Sequence, residues 1–297
     1  MRVVSVGECM VELSGAGQGL WRQAFAGDTF NTAWYLRALM PKDATVDYLT
    51  CVGQDAISTA LLDFIGGAGI GTGCITRHPT RAPGLYMIDL KDGERSFTYW
   101  RDSSAARCLA DDPAHLAQCF DGADLVYFSG ITLAILTPER REVLLAALKT
   151  AKAKVAFDSN MRLRLWSGAA EMCDWIVKGA AVADIALPSF DEEAQYFGDA
   201  TPRATADRYL GAGVSEILVK NGGGDMLGRT PRGDWLDLSC GERIQPVDTT
   251  GAGDSFNGGY LSARLAGAGM AEAVQKGHAT AGRVICHPGA LIPHDAL

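Results

Sequence analysis

Val247-Asp248-Thr249-Thr250-Gly251-Ala252-Gly253-Asp254-Ser255-Phe256 is the stretch on which the chain's interpretation turns. Two glycines and an alanine at 251–253 let the backbone turn tightly into a helix predicted to begin near Ala252. The free N–H groups at a helix start form an anion site, and the helix dipole also favours negative charge there. Asp254 falls within that first turn, beside any phosphate bound at it. A carboxylate so placed can accept a proton from a substrate hydroxyl as it attacks a phosphoryl group. Gly-x-Gly-Asp alone also suits an ordinary helix with an acidic first turn; the ten-residue string is far more specific.

Upstream of this stretch, short apolar runs alternate with helical patterns. Arg2–Val6, Val46–Cys51, Leu125–Ser129, Val155–Asp158, Ile185–Leu187 and Ile217–Lys220 read as buried strands. Asn31–Leu39 and Ser58–Ile65 read as helices, the second stopping at Gly66-Gly67. Thr137-Pro138 supplies an N-cap and a first-turn proline for a helix running to about Thr150. This alternation predicts a parallel sheet with helices on both faces. Leu85–Leu90 and Ser96–Trp100 break the pattern. They flank Lys91-Asp92-Gly93-Glu94, and Asp-Gly between two β-type runs signals a hairpin. The expectation is one domain, 1–297, carrying a small β lid built from about 9–26 and 74–104.

Composition narrows the function. Of 297 residues 47% are hydrophobic and 21% charged, which suits a globular chain with a sizeable core. Twenty-seven basic against thirty-five acidic side chains give a net charge of −8, which argues against a nucleic-acid partner. The eight cysteines stand singly, with no CxxC pair, so neither a disulfide framework nor a zinc spacing is present. The five histidines form no metal-spaced cluster; His278 and Trp21, Trp34, Trp100 and Trp166 are expected to be packing residues before pocket walls. No secretory leader or long apolar run is seen, so a cytoplasmic protein without a membrane partner is expected. A Walker-type GxxxxGK[ST] is missing, and Gly-x-Gly comes too late in the chain for a dinucleotide fingerprint.

Asp248–Leu261, DTTGAGDSFNGGYL, resembles the C-terminal signature of the ribokinase-like (PfkB) carbohydrate kinases. Ala26-Gly27-Asp28-Thr29-Phe30-Asn31-Thr32-Ala33 resembles their N-terminal sugar-binding segment, and Val52-Gly53-Gln54-Asp55 their VGxD turn. The resemblance implies a ribokinase-like, Rossmann-type three-layer α/β core with a small β-sheet lid, and MgATP as cofactor. It also implies Asp254 as catalytic base, with Gly251, Ala252 and Gly253 as backbone anion hole. Gly7–Leu13, Pro83–Tyr86, Phe97–Ala106, Phe157–Trp166 and Gly289–Pro293 resemble the branch that phosphorylates 2-keto-3-deoxygluconate at its terminal hydroxyl. By that match Gly27, Asn31, Tyr86, Tyr99, Arg101, Asn160 and Arg162 line a sugar-acid site.

On the nucleotide side, Ser189-Phe190-Asp191-Glu192 stands where many relatives carry Asn-x-x-Glu. Ser189 replaces the asparagine, and Glu192 keeps the acid that acts indirectly on Mg2+; the same residues also suit a plain helix start with Ser189 as N-cap. Lys220, Gly222 and Gly224 resemble the family's VKxGxxG turn and would approach the ATP phosphates. Asp248 and Thr250, with the loop around His287 to Gly289, match positions where some relatives bind K+. Lids of this family often pair between subunits, so a homodimer through the lid is expected.

Physical chemistry favours an acid substrate too, because arginine's planar fork holds a carboxylate through two parallel charge-assisted bonds. Arg101 follows the second strand of the hairpin, and Arg162 lies just past the Val155–Asp158 strand. The alternatives are a kinase of the same fold acting on fructose or a nucleoside, and a sugar-acid sensor without activity.

Overall fold

A computed structural model describes residues 1–91, 94–239 and 244–297. Among them, nine strands form the main sheet: β1 (Arg2–Val6), β4 (Thr45–Val52), β5 (Ile75–Arg77), β8 (Leu125–Ser129), β9 (Lys154–Asp158), β10 (Ile185–Ala186), β11 (Glu216–Val219), β12 (Met226–Arg229) and β13 (Trp235–Leu238). Their order is β13-β12-β11-β10-β9-β8-β1-β4-β5. Strands β5 to β11 of that row are parallel; β12 and β13 add an antiparallel edge.

Strand side chains alternate between the sheet's two faces, and both faces are buried, which is why the strands read as continuous apolar runs. On one face Val3, Leu125, Tyr127 and Ala156 pack with α1 (Asp28–Leu39), α2 (Ala56–Gly67), α9 (Ala252–Leu265) and α10 (Met270–Val284). On the other, Val4, Val126, Phe128 and Phe157 pack with α3 (Pro113–Phe120), α5 (Pro138–Thr150), α6 (Ala169–Ala180) and α8 (Pro202–Ala212). The three layers predicted from the sequence are these. Thr137 caps α5 as expected, its side chain accepting from the Arg140 amide.

Beside the core stands a second sheet, β3-β2-β6-β7, made of β2 (Met10–Gly15), β3 (Trp21–Ala26), β6 (Leu85–Lys91) and β7 (Glu94–Trp100). β6 and β7 pair antiparallel, with Tyr86 opposite Tyr99 and Leu85 opposite Trp100; the Asp92-Gly93 turn expected between them lies outside the described residues. The sequence placed 74–104 in the lid, but β5 within that span pairs with β4 and extends the main sheet. Ile185–Leu187 and Ile217–Lys220 also run shorter as strands than expected. Pro188 has no N–H to continue the ladder, and pairing resumes only as an isolated bridge between Ser189 and Lys220.

The chain leaves β1 for the lid and β4 on one side, and returns as β8 on the other. Ligands of open α/β sheets bind at such a switch, outside the carboxyl ends of the strands. Val6, Ser129 and Asp158 end their strands there.

α9 and α10 approach closely through glycines. A Cβ on Gly259 would lie 2.9 Å from the Gly277 Cα and 2.7 Å from Thr280 Oγ1, whereas Gly66 on α2 has open space. Gly259→Ala should therefore destabilise by about 1–3 kcal/mol through overpacking. Gly66→Ala should stabilise by about 0.4–1 kcal/mol, by restricting the unfolded chain. Thermal or urea melts of the two variants should move in opposite directions.

Candidate active site

Gly251 caps the N-terminus of α9 at φ +76°, a left-handed conformation that suits glycine. A Cβ there would also lie 2.8 Å from the Ala290 carbonyl oxygen, so both backbone angle and space require glycine. Beyond it the first amides of a 14-residue helix face the cleft at the switch point. The Ala252 amide donates to the Thr249 carbonyl oxygen (3.2 Å); the next amides have no partner within the helix, and no side chain at Gly253 stands before them. The cleft encloses ≈ 400 Å³ and opens between the core and the four-stranded lid.

Three carboxylates meet on its floor. Asp254 sits in the first turn of α9, and its Oδ2 accepts from Asn31 Nδ2 at 2.8 Å. Asp28, at the start of α1, accepts from the Ser129 hydroxyl and from Asn160 Nδ2 (2.9 Å). Asp158, at the end of β9, accepts through Oδ2 from Lys220 Nζ (2.9 Å) and Asn257 Nδ2 (2.6 Å). Burial pushes the Asp254 carboxyl up to about 8. The negative charge of Asp28 adds to the rise, the Asn31 hydrogen bond opposes it, Asp158 raises it further, and Lys220 pulls it down. Burial also raises Asp28, against the hydrogen bonds it accepts. Asp254 is thus a carboxyl whose proton affinity is tuned towards neutral pH.

Asn160 reaches Asp28 by adopting φ +28°, a left-handed turn that asparagine tolerates better than most residues. Gly27 precedes α1, and its N–H donates to Asn31 Oδ1 at 3.3 Å, orienting the amide whose other end holds Asp254.

The lid side is aromatic and cationic. The Tyr86 hydroxyl donates to the Glu12 carboxylate, and burial with that neighbouring charge keeps the phenol protonated. Tyr86 and Tyr99 stack at 5.7 Å between centroids. Arg101 donates to Glu8, and the pair is almost wholly buried. Arg162 donates to Glu192 and to its neighbour's Met161 carbonyl (2.7 Å), while Glu192 also accepts from the Met161 amide (2.9 Å).

The structure therefore brings Gly27, Asn31, Tyr86, Tyr99, Arg101, Asn160 and Arg162 into one cleft with Gly251, Ala252, Gly253 and Asp254. Ser189, Glu192, Lys220 and Thr250 line it too. Gly222, Gly224 and Asp248 do not. Gly222 belongs to the turn that leads out beyond Lys220, at φ +51°. Asp248 accepts from the Thr250 amide (3.0 Å) and hydroxyl (2.8 Å) and from the Gly289 amide (2.6 Å), pinning the loop before α9 to the segment after α10. Ser189 stands at the N-cap of α7 (Phe190–Phe197), but its side chain caps nothing. His278 packs edge-on against Phe256, and none of Trp21, Trp34, Trp100 and Trp166 lines the cleft.

Asp28, Asp158 and Arg164 line the cleft without having been singled out from the sequence. Asp28 and Asp158 carried a signal: one lies at a helix start inside the glycine-rich segment, the other at the carboxyl end of a parallel strand.

A doubly wound core, a strand lid over its switch point and a helix N-terminus bearing a carboxylate define a small-molecule kinase. The chain belongs to the pfkB family of carbohydrate kinases, whose family model matches residues 1–297. It is 38% identical over 305 residues to the 2-dehydro-3-deoxygluconokinase of Escherichia coli (strain K12), covering 100% of this chain and 98% of that one. It is likewise 38% identical to the 2-dehydro-3-deoxygluconokinase of Dickeya dadantii (strain 3937), covering 99% and 98%. Among solved structures, the PfkB protein from Polaromonas sp. JS666 superposes with a TM-score of 0.84 at 26% identity, covering 98% of each chain.

The carboxylate arrangement makes a direct prediction. Removing the Asp28 charge favours ionisation of its neighbour, so Asp28→Asn should lower the Asp254 pKa from about 8. Carboxyl 13C shifts followed through pH 5–10 in aspartate-labelled protein would check it; an unchanged midpoint would separate the two groups.

Proposed function

We propose that the protein transfers the terminal phosphoryl group of ATP to the 6-hydroxyl of 2-keto-3-deoxy-D-gluconate. The products are 2-keto-3-deoxy-6-phosphogluconate and ADP. The observation that carries this reading is Asp254, raised to about 8 and held by Asn31 at the start of α9, in one cleft with Tyr86, Tyr99 and Arg101 from the lid and Arg162 from the core. Its likeness to two 2-dehydro-3-deoxygluconokinases over the whole chain supports the same substrate.

In this reading the sugar acid lies between Tyr86, Tyr99 and Arg101 on the lid and Gly27, Asn31, Asn160 and Arg162 on the core. Asp254 takes the proton from the attacking hydroxyl. The amides of Gly251, Ala252 and Gly253 hold the negative charge of the group in transfer, which preorganised donors do without reorganising. The residues fit a nucleotide: the glycine at 253 leaves space before the α9 N-terminus, and a Cβ there would meet only Lys220 Nζ, at 3.9 Å. Lys220, which lines the cleft, would meet the phosphates, and the Gly222–Gly224 turn beyond it would flank the nucleotide. Mg2+ supplies charge neutralisation when bound. Glu192, which lines the cleft, would act on the ion through water. The loop that Asp248 ties to Gly289 offers backbone carbonyls for a K+ ion beside Thr250.

The lid exposes Leu20, Trp21 and Trp100, apolar surface that a second copy would cover, and this supports the reading of a homodimer through the lid. Among the described residues no helix is long and apolar enough to cross a membrane, and a cytoplasmic location agrees with the use of ATP.

Asp254→Asn should leave binding of 2-keto-3-deoxygluconate nearly intact and lower turnover by about 10²–10⁴. ADP release across keto-deoxy acids, gluconate, fructose, ribose and adenosine would test the substrate; preference for a neutral sugar would replace it. The base must be ionised to act, so kcat/KM should rise with pH as Asp254 in the free enzyme loses its proton, levelling above about 8. A rate independent of pH from 6 to 9 would remove Asp254 from that role.

A further inference from the structure

A buried amide stands beneath the nucleotide end of the cleft. Asn257 lies on α9 one turn beyond Gly253 and Asp254, so the three residues share a helix face. Its side chain is wholly buried. Nδ2 donates to Asp158 Oδ2 at 2.6 Å and to the Tyr127 hydroxyl at 3.1 Å, which uses both amide hydrogens. That fixes the direction of Oδ1, which accepts from Lys220 Nζ at 3.2 Å. Asn257 thus bridges the Asp158–Lys220 ion pair without adding a charge to it.

The backbone of Lys220 is held by its neighbours. Its N–H donates to the Pro188 carbonyl and its carbonyl accepts from the Phe190 amide, both at 2.8 Å. What the backbone leaves undecided is where a flexible four-carbon stem places its charge. Asp158 Oδ2 takes one ammonium donor at 2.9 Å, but a carboxylate oxygen accepts over a broad range of directions. The second bond, to Asn257, selects one of them. Nζ then stands beside the start of α9, 3.9 Å from where a Cβ on Gly253 would lie, with its third donor left for a ligand.

We propose that Asn257 is a positioning residue for phosphoryl transfer, acting through Lys220, whose ammonium it holds at the α9 N-terminus. The assignment rests on the kinase reading above. A positive charge already in place when negative charge develops on the group in transfer lowers the barrier, whereas one that must first be moved there does not. Asn257 lies outside the sugar-acid contacts, so it acts on turnover and leaves KM for the acid unchanged. The placement also reaches Asp254. Burial, Asp28 and Asp158 raise the proton affinity of that carboxyl, and Lys220 draws it down. Arg162 faces Asp254 as well and does not depend on Asn257. An ammonium no longer held at the α9 start gives up its pull.

The test is a double-mutant cycle in kcat from Asn257→Leu, Lys220→Met and the two combined, with thermal melts beside it. Asn257→Ala runs in parallel, so that the comparison survives if leucine is not tolerated. Loss of a charge-assisted bond should lower kcat in Asn257→Leu by roughly ten- to a hundredfold. KM for 2-keto-3-deoxygluconate should stay within about threefold of wild type. In the Lys220→Met background the same change should cost less than about threefold, because the ammonium it places is gone. Without substrate, carboxyl 13C shifts should show the Asp254 midpoint rising in Asn257→Leu as it does in Lys220→Met. Losses in kcat that multiply, or an Asp254 midpoint that fails to rise, would make Asn257 a structural residue and overturn the proposal. Wild-type protein that releases no ADP with the acid would overturn the kinase reading instead, and the substrate-free midpoints would still decide whether Asn257 places Lys220.

Discussion

The crowding of Asp28, Asp158 and Asp254 at the carboxyl end of the parallel sheet is the constraint around which the cleft is arranged. Three carboxylates at the end of a buried parallel sheet cannot all ionise cheaply without donors supplied from elsewhere. The chain supplies them from distant segments: Ser129 and Asn160 for Asp28, Lys220 and Asn257 for Asp158, Asn31 for Asp254. Asp158 receives a full positive charge and Asp254 only an amide. Burial is the main cause that raises Asp254 to about 8, and the neighbouring charge of Asp28 adds to it, with one amide hydrogen bond from Asn31 in opposition.

The lid obeys a related logic. Its two crossovers from the core carry Glu8 and Arg101, which meet as a buried ion pair, and Glu12 on β2 takes the Tyr86 hydroxyl across the sheet. Buried pairs of this kind contribute little net stability, because desolvation offsets the attraction. What they do is fix direction. Arg101 and Tyr86 are held as parts of a sheet rather than as free side chains, so little rotamer entropy is lost when a ligand arrives.

Much of this was legible in the sequence where a local rule governs. The parallel strands announce themselves because both faces of the sheet are buried, the Thr137-Pro138 helix start because a cap is a local event, and the 251–254 turn because its glycines have few substitutes. The partnerships across the cleft were not legible. Nothing near Arg101 or Arg162 in sequence points to Glu8 or Glu192, since those pairings are set by how β1, β7, β9 and α7 are brought together. Arg164 was passed over for the same reason: its place over the Tyr99 ring is set by how the segment after β9 meets the lid. Ser189 shows the converse. Its position predicted a cap, but the bridge to Lys220 settles the backbone there and its side chain caps nothing.

The Asn31–Asp254 hydrogen bond spans 223 residues of chain. A nascent polypeptide emerging from the ribosome makes α1 and the lid strands early and the α9 turn far later, and domains fold in the order they appear. The Ala290 carbonyl that walls Gly251 also accepts from the Tyr35 hydroxyl at 2.6 Å, joining the latest segment to one of the first. A chain cut short before residue 254 can hold every strand of both sheets and still lack the Asp254 carboxyl, and one cut short before residue 290 lacks the carbonyl that walls Gly251. The cleft is completed last by the segment made last.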